Sequence, residues 1–438
     1  MRIMKASVYK SVLFTSLAIL AGWFSASPIR AFAQAGDNAI CTASTPAGIK
    51  CSASFIDVTA LAGADICAKI GTAIALLPAV GGVIDARGAN PGTNQTCANS
   101  PWNGITTPPP AYIYLPTGSI TIPATWVLPD RTRIFGEGRG GTNTSGTTIV
   151  AASGFTASTP IIEMGSSACE SNTGICFGIS VQDLMLDGNN QNVVGILNSH
   201  SQEQTYVERV SLHDITGTGL EISGSQAQNS GPYSDLAISP GSSAVAGTVC
   251  VQILSVGDTR GIHGLSCTAD GTPNAGVLID SNNNTIEDAH FEGVVDGIRV
   301  GSNAAATANV ILNVTGGSGA GPMTNVVHVY STNVVDDLVL SAIHQGSSGI
   351  DPIRDDTSAD SPLTEASVAL YVIGRPVGTN GVSRFTTSPN SVNWGVGGSA
   401  PTGSCKVGSL FSNTGGSGAT TTLYLCALVS GSPAWVAH

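Results

Sequence analysis

The sequence predicts an all-β chain wound as a parallel solenoid, and three observations carry that prediction. Short alternating runs of Val, Ile and Leu are separated by turns rich in Gly, Asn, Ser and Thr, with 54 glycines in 438 residues. "VQDLMLDG" (181–188), "VERVSLHD" (207–214) and "YSDLAISP" (233–240) superimpose Leu184, Val210 and Leu236 at equal intervals along the chain. One stretch alone is a good helix candidate. A repeat in the mid-twenties built of short strands marks a solenoid, in which stacking supplies the core that no single coil can bury. An antiparallel sandwich is the alternative, and it would favour two-residue hairpins over a repeat of this length.

The elements follow in order. Arg2, Lys5 and Lys10 precede an apolar run (12–24), and "AFA" (31–33) offers an A-x-A cleavage pattern. Residues 1–33 therefore read as a secretory signal peptide, with Gln34 as the mature start. The run is short for a membrane span, so the mature chain is expected to be secreted, extracellular or periplasmic, with no membrane association. Segment 34–110 holds the helix and the first strands. Within it, "ADICAKIGTAIALL" (64–77) sets Ile66, Ile70, Ile74 and Leu77 on one face, with Asp65 as N-cap and "PAVGG" as stop. Strand-like runs come next: "GGVIDARG" (81–88), "YIYLP" (112–116), "SITI" (119–122), "TRIFGEG" (132–138), "TTIVA" (147–151) and "IIEMG" (161–165). The solenoid is placed at 111–375. "NTIEDAHFEGVVDGIRVG" (284–301) sets Ile286 two coils after Leu236, and "ANVILNV" (308–314) and "DDLVLSAI" (336–343) continue the series. Residues 376–404 read as a Gly/Pro/Ser-rich linker. Residues 405–438 read as a small β module whose Phe411, Tyr424 and Trp435 form its own core or meet a partner.

The net charge is −12, and losing Arg2, Lys5, Lys10 and Arg30 with the leader makes it about −16. Three lysines remain (Lys50, Lys69, Lys406), so no basic stripe is available for nucleic acid. Ten cysteines fall as neighbours: Cys41 with Cys51, Cys67 with Cys97, Cys169 with Cys176, Cys250 with Cys267 and Cys405 with Cys426. An even count behind a leader reads as disulfides, with neighbour pairing expected and connectivity left open by the sequence. Zinc spacing of the C-x-x-C or Cys/His type is absent.

The helix, then "GGVIDARG", "YIYLPTGSITI", "WVLPDRTRIFGEG" and "TTI", resembles the opening of the pectate-lyase-like right-handed parallel β-helix superfamily, which spans pectate lyases, polygalacturonases and phage tailspikes. The resemblance covers about residues 57–345. It implies that the helix caps the open N-terminal end of the solenoid. It also implies engagement of an extracellular polysaccharide or cell-surface glycan, by hydrolysis or β-elimination, and the tailspike branch implies a homotrimer. The tail is similar to small C-terminal modules of secreted bacterial and phage-tail proteins. The chain departs from the polygalacturonase series N-x-D, D-D, G-H-G, R-I-K: "GIHG" (261–264) has an extra residue before His263, and Arg299 stands near an R-I-K place. The acid pair at 336–337 lies downstream of both, against the family order. A lyase of this group would require Ca²⁺, for which "EDAHFEGVVD" (287–296) offers Glu287, Asp288, Glu292 and Asp296, with His290 among them.

With Leu184, Val210 and Leu236 inward, the residues before them, Asp183, Arg209 and Asp235, point outward in one column of coils about 4.8 Å apart. Arg209 then lies between carboxylates about 9.6 Å apart at the backbone. Glu208 precedes it, Asp187 and His213 stack further along, and Asp214 lies beside them. Two readings stand. In the catalytic one, Asp183 and Asp235 act as the acid pair of an inverting glycosidase. Arg209 grips a sugar acid, His213 assists proton transfer, and Glu208, Asp187 and Asp214 line the substrate. In the structural one, Arg209 bridges both acids as a surface ladder worth under about 1 kcal/mol per exposed pair, in the space a substrate needs.

"GEGRGG" (136–141) meets the G-x-G-x-x-G pattern, but "TNTSGTTIVA" follows instead of a helix, so it reads as a turn. No G-x-S-x-G elbow, H-E-x-x-H or Walker loop occurs, which leaves acyl-transfer and zinc-hydrolase readings without a motif. His200, His328 and His344 are isolated. The rival function is a non-catalytic surface, matrix or adhesive protein with the solenoid as rigid spacer. A groove lined by acids and aromatics favours the enzyme, and a smooth face of Ser, Thr and Asn favours the spacer.

Overall fold

The computed structural model describes residues 54–330 apart from 141–144, 170–173, 225, 245–246, 255–258, 270–272 and 318–322, together with short strands between 334 and 370 and most of 394–438. The leader, the acid pair at 336–337 and most of the linker lie outside the described residues.

Parallel strands stack coil upon coil through about ten turns. Each coil feeds two sheets, with 17 strands in the first and nine in the second among the described residues. Sheet 1 is bent within every coil from 180 to 317. A first arm such as Ser180–Gln182 pairs with Tyr206–Glu208, and a second arm such as Leu184–Asp187 pairs with Val210–His213. One residue turns the corner between the arms: Asp183, Arg209, Asp235, Gly264, Asp288 or Asn313, with φ of 54°, 52°, 58°, 69°, 55° and 52°. This left-handed conformation is open to Gly and tolerated by Asp and Asn, whose short side chains bond locally. Arg209 is the exception in the series.

The corner makes the two arms present different inward columns. Ile134, Val181, Val207, Tyr233, Ile262 and Ile286 stack in the first arm, and Leu184, Val210, Leu236, Leu265 and Ala289 in the second. All are at most 2% exposed, and each large apolar side chain so buried stabilises by roughly 1.5–3 kcal/mol. The predicted register of Leu184, Val210 and Leu236 is present. The placement of Ile286 in that column is corrected. The next coil is longer and the one after it shorter, so Leu236 pairs with Leu265 and Leu265 with Ala289, which takes the position. Ile286 instead stacks below Tyr233 and Ile262.

The helix spans Ile66–Leu76. Asp65 caps it, one carboxylate oxygen accepting from Ala68 N and the other from Ala98 N, each at 2.9 Å. Its buried face, including Ile66, Ile70 and Ile74, is continuous with the core of the first coils through Ile56 and Ile84. Four of the five expected cysteine pairs are bonded: Cys67–Cys97, Cys169–Cys176, Cys250–Cys267 and Cys405–Cys426. The fifth expected disulfide, between Cys41 and Cys51, is not among the bonds found, because Cys41 and Cys51 both lie outside the described residues. Cys250–Cys267 ties a sheet 2 strand to the following sheet 1 strand inside the core.

At the C-terminal end, Leu410–Asn413, Leu423–Val429 and Ser432–Ala437 form an antiparallel run. Trp394–Gly397 adds to it in parallel, so this sheet starts inside the stretch assigned to the linker. Phe411 meets Tyr424 and Trp435 edge-to-face at 6.4 and 6.0 Å, so these rings pack on one another. No helix among the described residues is long and apolar enough to cross a membrane.

Candidate functional site

All seven sequence candidates lie on the outer side of sheet 1, in three separate settings. Asp183, Arg209 and Asp235 are corner residues, Glu208 ends a first arm, and Asp187 and His213 end second arms with Asp214 beside them.

At the corner, the expected symmetric ladder is corrected. Arg209 turns to one side: Nε and Nη2 donate to the two oxygens of Asp183 at 2.6 and 2.8 Å, and Nη1 donates to Glu208 Oε1. These bonds, Asp183's first, hold the guanidinium well above its ordinary pKa. Asp235 is bound from elsewhere. Arg139, on the loop between Thr132–Phe135 and Thr147–Ala151, donates to its carbonyl at 2.6 Å and reaches its carboxylate at 3.7 Å. Residues 136–140 of "GEGRGG" thus lie along the corner. Gly138 N donates to the Asp183 carbonyl at 2.8 Å. A Cβ on Gly136 would stand 2.3 Å from that same oxygen, so only glycine fits.

At the end of the second arm, Asp187 and His213 occupy one outward register on adjacent coils. Asp187 accepts from Asn189 N at 2.7 Å and has no cationic partner among the hydrogen bonds of the described residues. Burial raises its pKa, and the charge of Asp214 adds to the rise; the Asn189 bond and His213 oppose it without cancelling it. A carboxyl held toward its protonated form beside a second carboxylate and an imidazole is the arrangement from which acid and base roles separate.

Further along the same face, His263 and Glu287 face each other at 3.0 Å. His290 contacts Thr315 Oγ1 at 2.8 Å and Glu292 at 3.1 Å. Between the Asp187 and His290 groups the outward positions are small: Ser211, Ala237, Ser239, Ser266 and Thr268.

The 287–296 acids do not converge on one ion. Glu287 lies on a first arm, Asp288 at a corner and Glu292 on a second arm. Asp296 is on sheet 2, buried and clasped by Arg299 at 2.5 Å, with His328 at 3.3 Å. His328, isolated in the sequence, thus has a carboxylate beside it. Arg299 is on the other sheet from His263, which separates the two pieces of the polygalacturonase-like pattern. These residues are not placed to share one Ca²⁺. The one His/Cys/Asp/Glu group close enough for a metal among the described residues is Asp65, Cys67 and Cys97, where both thiols are in a disulfide and the carboxylate caps the helix.

Sequence reading missed an aromatic column on the first arms of the early coils. Tyr114 stacks on Phe135 at 4.9 Å, Arg87 lies 5.2 Å from the Tyr114 ring, and Arg133 lies between Tyr112 and Tyr206 at 5.4 and 5.7 Å. The outward positions of "YIYLP" and "TRIF" were the available signal. Rings and guanidiniums here cover one another's faces, each contact worth about 0.5–1 kcal/mol, so edges and hydroxyls are what remain for a ligand. Two cavities of about 380 and 330 Å³ near the helix, one beside Trp102 and one beside Asp65 and Lys69, include none of the sequence candidates.

No protein-family model matches the chain, and no curated protein matches it. Among solved structures, it is similar to ORF18 of Geobacillus virus E2, at 13% identity and a TM-score of 0.37, over 69% of this chain and 59% of that one. It is also similar to the A-modules of two mannuronan C-5 epimerases of Azotobacter vinelandii. For AlgE4 the identity is 16% and the TM-score 0.28, over 61% of this chain and 89% of that one. For AlgE6 they are 16% and 0.31, over 73% and 99%. At these TM-scores the likeness carries no function across, and the chemistry of the site has to come from the residues themselves.

Proposed function

We propose that the outer face of sheet 1 holds an extracellular polysaccharide across several coils and hydrolyses it, with Asp187 as proton donor. The observation that carries this reading is the Asp187 carboxyl itself: partly buried, with no cationic hydrogen-bond partner among the described residues, and raised from its ordinary pKa by burial beside Asp214 and His213. Protonated Asp187 would give the leaving glycosidic oxygen its proton, while Asp214 and His213 stand to activate water. Asp183, Arg209 and Glu208 then serve as a charged rim that orients the chain. This moves the acid role away from the Asp183/Asp235 pair. The polysaccharide itself is inferred from the solenoid architecture and the superfamily resemblance, which is an analogy of fold. Secretion and the leader belong to the same proposal, and no homotrimer is proposed.

The test is a polysaccharide panel with purified protein, with and without Ca²⁺, read both as new reducing ends and as ultraviolet absorbance of unsaturated products. Reducing ends without absorbance support hydrolysis. Ca²⁺-dependent absorbance would replace it with elimination, and silence across the panel would remove cleavage.

A second reading has its own observation. The strip of Ser211, Ala237, Ser239, Ser266 and Thr268 is smooth, and the C-terminal module exposes Leu428 (63%) and Val429 (47%). Both suit a spacer carrying an adhesive tip. Deleting 405–438 separates the two: an adhesin loses surface binding, whereas the enzyme keeps turnover.

A further inference from the structure

The outer side of the early first arms carries a cluster of hydrogen-bond donors that the Asp187 site does not use. Arg133, Ser180 and Tyr206 pair in register, so they stand outward on consecutive coils, with Gln182 at the next outward position of its strand. Arg87, Arg131, Arg139, Arg209 and Arg299 each face a carboxylate. Arg133 is partly buried and has no carboxylate partner among the described residues. It lies instead between the Tyr112 and Tyr206 rings, 5.4 and 5.7 Å from their centroids. With rings along its faces, the guanidinium keeps its N–H edge for a ligand. Its own bonds there are long: Nε donates to the Gly178 carbonyl and Nη1 to Tyr206 Oη, both at 3.4 Å. Nη2 donates to no acceptor among the described residues. Tyr206 Oη also accepts from Gln182 Nε2 at 3.3 Å. Those two bonds take up its lone pairs, and no acceptor among the described residues receives its proton. Beneath it, Gln182 Nε2 donates to Ser180 Oγ at 3.0 Å, and both side chains are buried. A cation and a hydroxyl proton thus stand together without an acceptor. Withdrawing a cation from water without a partner is costly, and the partner that fits these donors is an anion.

We propose that Arg133 and Tyr206 form an oxyanion-binding site, which takes a carboxylate or a sulfate ester carried by a ligand. The guanidinium edge and the phenol O–H both donate to the oxyanion, in charge-assisted bonds for which the planar fork of arginine is suited. Gln182 and Ser180 hold the phenol oxygen from below, and the Tyr112 ring keeps the guanidinium in place. The site lies across the Asp183 corner from Asp187, so it is separate from the proton donor. The oxyanion is a substituent of the sugar chain if the polysaccharide reading above holds; the binding chemistry does not depend on cleavage.

The test is native electrophoresis of the purified protein through gels containing dextran, carboxymethyl dextran or dextran sulfate, each compared with a plain gel. The net charge of −12 opposes nonspecific retention by a polyanion. The expected result is retardation by one or both charged dextrans, which tells carboxylate from sulfate, and none by dextran. Arg133→Gln should weaken retention about tenfold or more, with Arg133→Lys intermediate because the charge stays and the fork is lost. Tyr206→Phe keeps the ring beside the guanidinium and removes only the hydroxyl, so it tests the site without disturbing the fold; retention should weaken about fivefold or more. Absence of retardation, equal retardation by dextran, or wild-type retention in Arg133→Gln and Tyr206→Phe overturns the site. Arg133-dependent retention with a silent polysaccharide panel would remove glycan cleavage and leave the oxyanion site standing. Cleavage without such retention would do the reverse.

Discussion

Asp183 and Asp187 stand four residues apart in one strand, yet their surroundings assign them different chemistry. Asp183 sits at the left-handed corner with both oxygens bonded to Arg209. Asp187 ends the second arm, accepts from one backbone N–H, and is pushed toward its protonated form by burial. The difference lies in partner and conformation, since the residue type is the same. At the corner an acid is explained by the backbone, because Asp is among the few residues that tolerate left-handed φ. At the end of the arm no such backbone demand is present, and the acid is left to function.

The largest expected effect separates the two directly. Asp187→Asn should lower polysaccharide cleavage by about 10²-fold or more, while Asp183→Asn keeps most of it. Equal losses in steady-state rates would erase the distinction.

Corner conformation predicts the next effect. Asp183→Val places a β-branched residue at φ 54° and should cost about 1–2 kcal/mol in denaturant unfolding. Asp183→Asn should be close to neutral. Arg209→Gly follows: the lost surface pairs, under about 1 kcal/mol each, are offset by relief of left-handed strain of about 1 kcal/mol. Its unfolding midpoint should thus stay near that of the wild type.

The smallest effect is a pH dependence. A folded pKa raised above the unfolded one gives a contribution fully present below the unfolded value and lost as pH rises through the folded value. Asp187→Asn removes that loss. The variant should melt slightly higher than wild type at neutral pH, with the gap closing under acid conditions. A gap that widens on acidification would have the wrong sign.

Much of the architecture was legible in the chain because solenoid periodicity is a repeated signal: Leu184, Val210 and Leu236 report the same inward position three times. Neighbouring cysteines were legible for a related reason, since adjacent coils bring sequence neighbours together. Register failed at Ile286, where a long coil (Leu236 to Leu265) and a short one (Leu265 to Ala289) average close to the repeat and conceal the shift. The site was harder to read. Outward columns were found, but treating Asp183 as an ordinary strand residue hid the corner. Arg209 bonds Asp183 and Glu208, while Asp235 is met by Arg139, which arrives from far upstream in the chain. His263 and Glu287 share a face only through strand register, which no linear motif encodes.

The most direct measurement is the carbon-13 shift of the Asp187 carboxyl carbon against pH, assigned by its disappearance in Asp187→Asn. The account predicts a midpoint clearly above the ordinary aspartate value of about 3.9. A midpoint at or below that value would leave Asp187 ionised under working conditions and contradict its role as the proton donor.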